Sequence, residues 1–443
     1  MMIIFNFDKI FFETLIDSLN ASRVNYCIIG DYLSLPEKIN HDIDFWTDDV
    51  SLFHRILKKV VKQQNFRIFI DNQTINGFNF AFYKRDGKDF ILMKIDVFKN
   101  TSYKSLITLV DTKTIRENRI SVKNFFVVSL ECEAIMHLLY PLLEWGGIKK
   151  EEYKTDIANR CGSKVFQNVV IKCFGKSNAE ILRTLVENHD WEKLQSLTPQ
   201  LRRSLIVRSL FRPYFGLAFA QLIFSHLKRM VYPSGHYIVF CGLDGAGKTT
   251  ILDTMNQMFV NLLKSKKVFY GYWRPFCIPE IKKLLRRNKK DEPSGKVLDA
   301  NERPPRGKII SLFKLFYYCI DYMLGPFRYA GIRNRGGIVM FDRHYIDIII
   351  HPQRFEMGLS EKVLRFFYRF IPKPDSTFFL WASPQEIHHR KAEFTYEQIE
   401  DQIKHYNNVG NQIKNYIPIE TNKTVPEEID EILFHITQRI NHD

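Results

Sequence analysis

Between positions 242 and 250 the chain reads Gly242-Leu243-Asp244-Gly245-Ala246-Gly247-Lys248-Thr249-Thr250. Glycines at 242, 245 and 247 let successive backbone N–H groups turn inward, where a side chain would stand in the way. A lysine and two hydroxyls follow at once. The spacing satisfies G-x-x-x-x-G-K-[ST], a phosphate-binding loop. In such a loop the N–H groups of Asp244 to Thr250 line an anion, Lys248 supplies a point charge, and the Thr249 hydroxyl suits Mg²⁺. A second set of candidates ends the apolar run Ile338-Val339-Met340-Phe341, where Asp342 and Arg343 stand side by side. Asp342 could polarise an attacking hydroxyl or hold a Mg²⁺ shell, and Arg343 could clamp a phosphate. Arg274 closes another apolar stretch, and Arg390 and Lys391 follow in a basic helix suited to a lid. A third set lies far upstream. Asp42 and Asp44 alternate in His41-Asp42-Ile43-Asp44-Phe45-Trp46, and Asp96 sits in Phe90 to Phe98. Three carboxylates on neighbouring strands could hold divalent ions for nucleotidyl or phosphoryl transfer.

Elements must position these residues. An apolar strand from His236 to Cys241 precedes the glycine loop and a helix opens at about Lys248. Strands are expected over 268–275, with Arg274 at the end, over 338–341 and over 377–381, and the four apolar residues of 338–341 read as a strand buried on both faces, as in a parallel sheet. Ligands in such sheets bind beyond the carboxyl ends of the strands, so Arg274 is expected to face the pocket. The strand at 377–381 reads as the last, and Lys308 to Leu324 reads as a core helix rich in Phe and Tyr. Upstream, 5–20 is predicted helical, 26–29, 41–46 and 90–98 as strands, and 131–143, 151–160, 164–173, 177–187 and 199–210 as helices, with Ser129 a candidate N-cap. Arg202, Arg203, Arg208, Arg212, Lys228 and Arg229 flank an apolar stretch from Tyr214 to Phe224. That segment reads as a core helix with solvated basic ends, and second as an amphipathic segment on an anionic bilayer. The run Ile281–Lys290 and the Pro/Gly-rich stretch to Pro305 read as an insertion over the pocket.

The C-terminal motifs resemble those of the thymidylate kinase family of P-loop kinases. The match consists of Phe240 with the glycine loop, Asp342-Arg343-His344, Pro374-Asp375 leading into Phe378-Phe379-Leu380, and Arg390 in the lid position. The resemblance implies that Asp244 touches the acceptor's sugar hydroxyl and that Asp342 and Arg343 work on acceptor and phosphates. Where that family has R-E-P-G, this chain has Trp273-Arg274-Pro275, and its lid is shortened to Arg390-Lys391-Ala392-Glu393. The first 125 residues resemble the nucleotidyltransferase superfamily pattern: Gly30, then Asp42-x-Asp44, then Asp96, with Asp31 in place of the usual Gly or Ser.

The implied fold is α/β: a P-loop parallel-sheet kinase domain preceded by a nucleotidyltransferase-like α/β domain and a helical connector. The expected boundaries are 1–128, 129–233 and 234–443. The expected reaction is ATP- and Mg²⁺-dependent phosphoryl transfer to a nucleoside monophosphate or a sugar hydroxyl. Catalytic roles fall to Lys248, Asp342, Arg343 and Arg390. ATP contacts fall to Gly242, Asp244, Gly245, Ala246, Gly247, Lys248, Thr249 and Thr250, acceptor contacts to Asp244, Arg274 and Arg343, and Mg²⁺ to Thr249 and Asp342. Two alternatives stand beside it: nucleotidyl transfer with metals on Asp42, Asp44 and Asp96, or a nucleotide-sensing switch without catalysis.

Composition narrows the setting. A net charge of +15 draws anionic partners. Those expected are ATP, an acceptor, an anionic membrane surface and a second copy of the chain; nucleic acid is not among them. Seven dispersed cysteines without a C-x-x-C pair point to reduced thiols and a cytoplasmic location, with peripheral attachment at the inner membrane face as a variant.

Overall fold

The computed structural model describes residues 9–30, 32–37, 42–212, 215–279, 305–391 and 395–438. The expectations for Asp31, His41, residues 281–304, and Ala392 and Glu393 lie outside the described residues. The chain divides into two compact units, one formed by Ile4–Asp86 with Phe90–Val231, the other from Tyr232 onward with Gly87–Asp89.

Among its described residues the first unit contains nine strands: β1 (Tyr26–Ile29), β2 (Ile43–Thr47), β3 (Arg67–Thr74), β4 (Gly77–Asp86), β5 (Asp89–Phe98), β6 (Thr101–Tyr103), β7 (Ile107–Val110), β8 (Arg119–Val122) and β9 (Phe125–Val128). Seven form one sheet in the order β3-β4-β5-β2-β1-β9-β8, and β6 and β7 pair separately. Alternation decides what each face buries. On β4, Phe78, Phe80 and Phe82 point to one side, where they join Phe11, Leu15, Phe53 and Leu57 from the helices Lys9–Ala21 and Val50–Gln63. Each such side chain contributes roughly 2–3 kcal/mol by leaving water. Cys27 and Trp46 point to the other side, into a core shared with the helices between 130 and 210. The first of these begins where expected: Ser129 Oγ accepts a hydrogen bond from the N–H of Cys132 at 3.3 Å. Parallel pairing of β2 with β5 sets Asp44 opposite Asp96.

The segment from 215 departs from its main reading. Phe215–Val231 is a helix, but none of its residues is buried, and Leu217, Phe219, Ile223, Phe224, Leu227 and Met230 are exposed. Its apolar positions exceed what the described residues of the chain cover. No described helix is long and apolar enough to cross a membrane.

The described residues of the second unit include five strands: β10 (His236–Gly242), β11 (Val268–Tyr272), β12 (Ile338–Asp342), β13 (Ser376–Trp381) and β14 (Tyr416–Glu420). They form one sheet in the order β11-β12-β10-β13-β14, and every neighbouring pair is parallel. The expected last strand is therefore followed by one more, at the sheet edge, and by a helix at Val425–Gln438. β14 reads Tyr-Ile-Pro-Ile-Glu; its proline is tolerated because an edge strand has one face of hydrogen-bonding groups unpaired. Chain order reverses at β10, whose neighbours are β12 on one side and β13 on the other. That reversal opens a crevice at the carboxyl ends of the strands, where Gly242 and Asp342 emerge. The helix Lys308–Arg333 is longer than predicted and only one side is core: Leu315, Cys319, Tyr322 and Tyr329 are buried, while Ile309, Phe313, Phe316 and Phe327 are exposed.

Candidate phosphate-binding site

The fully buried strand β10 delivers the glycine loop to the crevice. Gly242 lies against the backbone of β13: a Cβ there would fall 2.3 Å from the Leu380 carbonyl oxygen, so only glycine fits. Gly247 takes the left-handed conformation (φ 78°) that turns the chain into the helix Lys248–Leu263. The helix therefore starts at the lysine and presents its first N–H groups to the loop's concavity. Thr249 and Thr250 are exposed in that first turn.

Lys248 is only 7% exposed and folds back over the loop. Its ammonium donates to the carbonyls of Gly242 at 2.9 Å and Leu243 at 2.6 Å, and lies 3.7 Å from the Asp244 carboxylate. Burial and the nearby Arg343 charge push its pKa down to about 8, against the pull of Asp244 and Asp342. Asp244 is gripped from two further sides, by Arg343 and, at 3.0 Å, by Arg354. Burial alone would raise its pKa, but the charges of Arg343, Lys248 and Arg354 outweigh it and hold the group well below the ordinary carboxylate range.

Asp342 ends β12 in register with Phe240 of β10. Its Oδ1 is buried and has no hydrogen-bond partner among the described residues. Burial raises its pKa, opposed by Lys248 and Arg343. A buried carboxylate oxygen left open beside a lysine and a glycine loop is the signature of a missing external partner. The next residue, Arg343, has a positive φ of 72°. That turn sends its guanidinium back to Asp244 and to Asp347 at 3.3 Å. Burial works against its charge, and Asp347 and Asp244 restore it.

Asp347 is a hub the sequence did not single out. It is fully buried and accepts from Arg343, from the His344 N–H at 2.9 Å, and from the Tyr406 hydroxyl at 3.0 Å. Its only advance signal was a position four residues after Arg343, one helical turn away. Arg354, likewise unforeseen, lies 110 positions from its partner Asp244. His344 is held neutral, its pKa pushed down to about 3 by burial, with its Nε2 3.0 Å from the Tyr237 hydroxyl.

Arg390 leans over the loop, donating to Gly245 O at 3.5 Å and to Thr421 O at 3.1 Å. The Thr421 hydroxyl in turn donates to Ala246 O at 3.1 Å. Asp375, which carries part of the resemblance, accepts from the Tyr237 N–H at 2.7 Å and pairs with Arg333 at 2.8 Å, joining β10 to the long helix. Arg274, expected to face the pocket, has its guanidinium engaged within the protein. It is 3% exposed and pairs at 3.0 Å with the fully buried Asp321, among the rings of Phe276 and Tyr317. Asp321 also accepts from the N–H groups of Phe276 at 3.1 Å and Ile278 at 2.7 Å. Arg274 thus organises the 273–279 loop from within. Cys277 in that loop is only partly buried.

The second unit offers two hard oxygen donors of the kind Mg²⁺ takes, the open Asp342 oxygen and the exposed Thr249 hydroxyl, while among the described residues no three His, Cys, Asp or Glu side chains cluster to hold a metal. The acidic residues of the first unit are arranged differently. The Lys94 ammonium lies 3.0 Å from Asp42 and 2.5 Å from Asp96, and Asn79 donates to the other Asp96 oxygen at 2.9 Å. Burial would lower the pKa of Lys94, but Asp96 and Asp42 raise it above its ordinary value. Asp42 precedes β2 instead of lying in it, so its carboxylate reaches Asp96 through Lys94 and not by strand register. A cation already stands where a bridging divalent ion would need to be, so these residues as arranged do not fit one.

No family profile matches this sequence, and no curated protein does. Among solved structures, the chain is similar to thymidylate kinase from Ehrlichia chaffeensis, at 16% identity over 47% of this chain and 100% of that one, with a TM-score of 0.30.

Proposed function

We propose that the unit from Tyr232 onward is an ATP-dependent phosphotransferase, a kinase whose acceptor is a nucleoside monophosphate or a sugar hydroxyl. The observation that carries this reading is the open, buried Asp342 oxygen at the end of the strand paired with the one that feeds the glycine loop. A triphosphate lying along the loop would meet the first N–H groups of the helix at Lys248. Lys248 would exchange the Gly242 and Leu243 carbonyls for phosphate oxygens. Mg²⁺, held by Thr249 and Asp342, would neutralise charge on the transferred group. For a sugar acceptor, Asp342 would orient the attacking hydroxyl and take up its proton; for a monophosphate it would only help position the attacking oxygen. Arg343 is anchored by Asp347 and would hold an acceptor phosphate beside Asp244, while Arg390 would cover the loop. The rest of the work is positioning.

The test is transfer of label from γ-³²P-ATP across a panel of nucleoside monophosphates, sugars and lipid-linked glycans. Wild type should label at least one acceptor, and Asp342→Asn should reduce transfer by roughly 10²–10⁴-fold, the scale of a lost general base. ATP binding without transfer across the panel would leave the nucleotide-sensing switch. Label transfer from α-³²P-ATP that survives Lys248→Ala would move the activity to the first unit.

A further inference from the structure

We propose that Lys94 is the resident cation of the acidic cluster on the first unit's sheet, and that this cluster excludes divalent metal ions. Lys94 and Asp96 are two residues apart on β5, so alternation places both side chains on one face of the strand. Parallel pairing with β2 adds Asp44 opposite Asp96, and Asp42 lies one residue before β2 begins. The strand geometry that gathers carboxylates therefore gathers the lysine with them.

Burial fixes the order of the layers. Lys94 is 7% exposed, while the side chains of Asp42 and Asp96 retain 25% and 22% exposure. The ammonium lies beneath the two carboxylates and not out in solvent. It contacts one oxygen of each. An ion bridging the same oxygens at about 2.1 Å would meet the lysine charge within a few ångströms, with little water between to screen it. Such an ion would have to displace a buried ammonium from two partners. The displaced group would then need new ones, and the nearest strand neighbour on its own face is the apolar, buried Leu92. Asn79 further commits Asp96 to the protein. The cluster is thus an ion network on two adjoining interior strands of the sheet.

Mn²⁺ titration of the nucleotide-free, full-length chain, read by water-proton relaxation, tests this. Every variant carries Asp342→Asn, so that the open carboxylate of the phosphate-binding unit does not contribute to the signal. The protein with Lys94 intact should show no site that depends on Asp96. Lys94→Met should gain one Mn²⁺ site at least about tenfold tighter than any in its parent, and adding Asp96→Asn should remove it. Thermal melting should show Mn²⁺ stabilising Lys94→Met and not its parent. A Mn²⁺ site in the parent that Asp96→Asn abolishes would overturn the proposal, as would a folded Lys94→Met that gains none. If Lys94→Met does not fold, the parent against Asp96→Asn still decides.

Discussion

Both units gather carboxylates around a lysine, and they do so to opposite effect. In the first unit, Lys94 is held by two full negative charges, and Asp96 has a protein donor on each oxygen. In the second, Lys248 rests mainly on two neutral carbonyls, and Asp342 keeps one buried oxygen with no partner among the described residues. A lysine held by carbonyls can turn to a phosphate at modest cost, whereas one held by two carboxylates cannot leave without stranding charge. The contrast teaches that a carboxylate's partners, more than its position in a motif, separate architecture from chemistry.

The sharpest way to break that contrast is to remove one carboxylate of each kind. Asp321 is saturated by Arg274 and two backbone N–H groups. Asp321→Ala should cost about 3–5 kcal/mol by leaving the buried guanidinium alone, measured by chemical denaturation. Asp342→Asn should leave stability unchanged or improve it, while transfer falls. The sign follows from the raised pKa: between its unfolded and folded values the native state binds the extra proton, so stability falls as pH rises through that window. At neutral pH the ionised group is a net cost that the amide relieves. A large loss of stability in Asp342→Asn would show that its open oxygen has a structural partner after all.

A smaller effect concerns the lysines. Lys248 has a folded pKa of about 8 against an ordinary 10.5. Below pH 8 it is charged in both states and contributes no slope. From pH 8 to 10.5 the unfolded chain holds a proton the native state has released, so stability rises with pH. ATP affinity should move the other way and weaken above pH 8, as the loop loses its positive charge. Lys373, also shifted to about 8, adds a parallel slope, so the quantity to measure is wild type minus Lys248→Met. Smallest of all is Tyr406→Phe. It removes one of the donors to Asp347 and should cost about 1 kcal/mol by thermal melting, with Arg343 still holding the same oxygen.

Much of the second unit was legible because its signals are local. The glycine loop, the strand before it, the helix after it and the 338–342 strand each announce themselves within a dozen residues. β14 was missed because Pro418 interrupts a short apolar run, and only its edge position makes that proline acceptable. In the first unit, Phe78, Phe80 and Phe82 alternate as a strand should, a local signal of β4 that the sequence carries. Partners were harder. Arg274 and Asp321 lie 47 positions apart, and Asp244 and Arg354 lie 110 apart. Such pairs are set by topology, which periodicity does not encode. Lys94 stands two residues from Asp96 on the same face of β5, a local signal, but its contact with Asp42 depends on the pairing of β2 with β5.

One detail of the 273–279 loop has a practical side. Six of the seven thiols are buried, and Cys277 alone is partly open, beside the segment that Asp321 pins through Phe276 and Ile278. The wild-type sequence therefore supplies a single accessible attachment point for a fluorescent label, at the rim of the segment that carries Arg274. Whether that rim responds to added ATP can be followed without engineering a cysteine or deleting one.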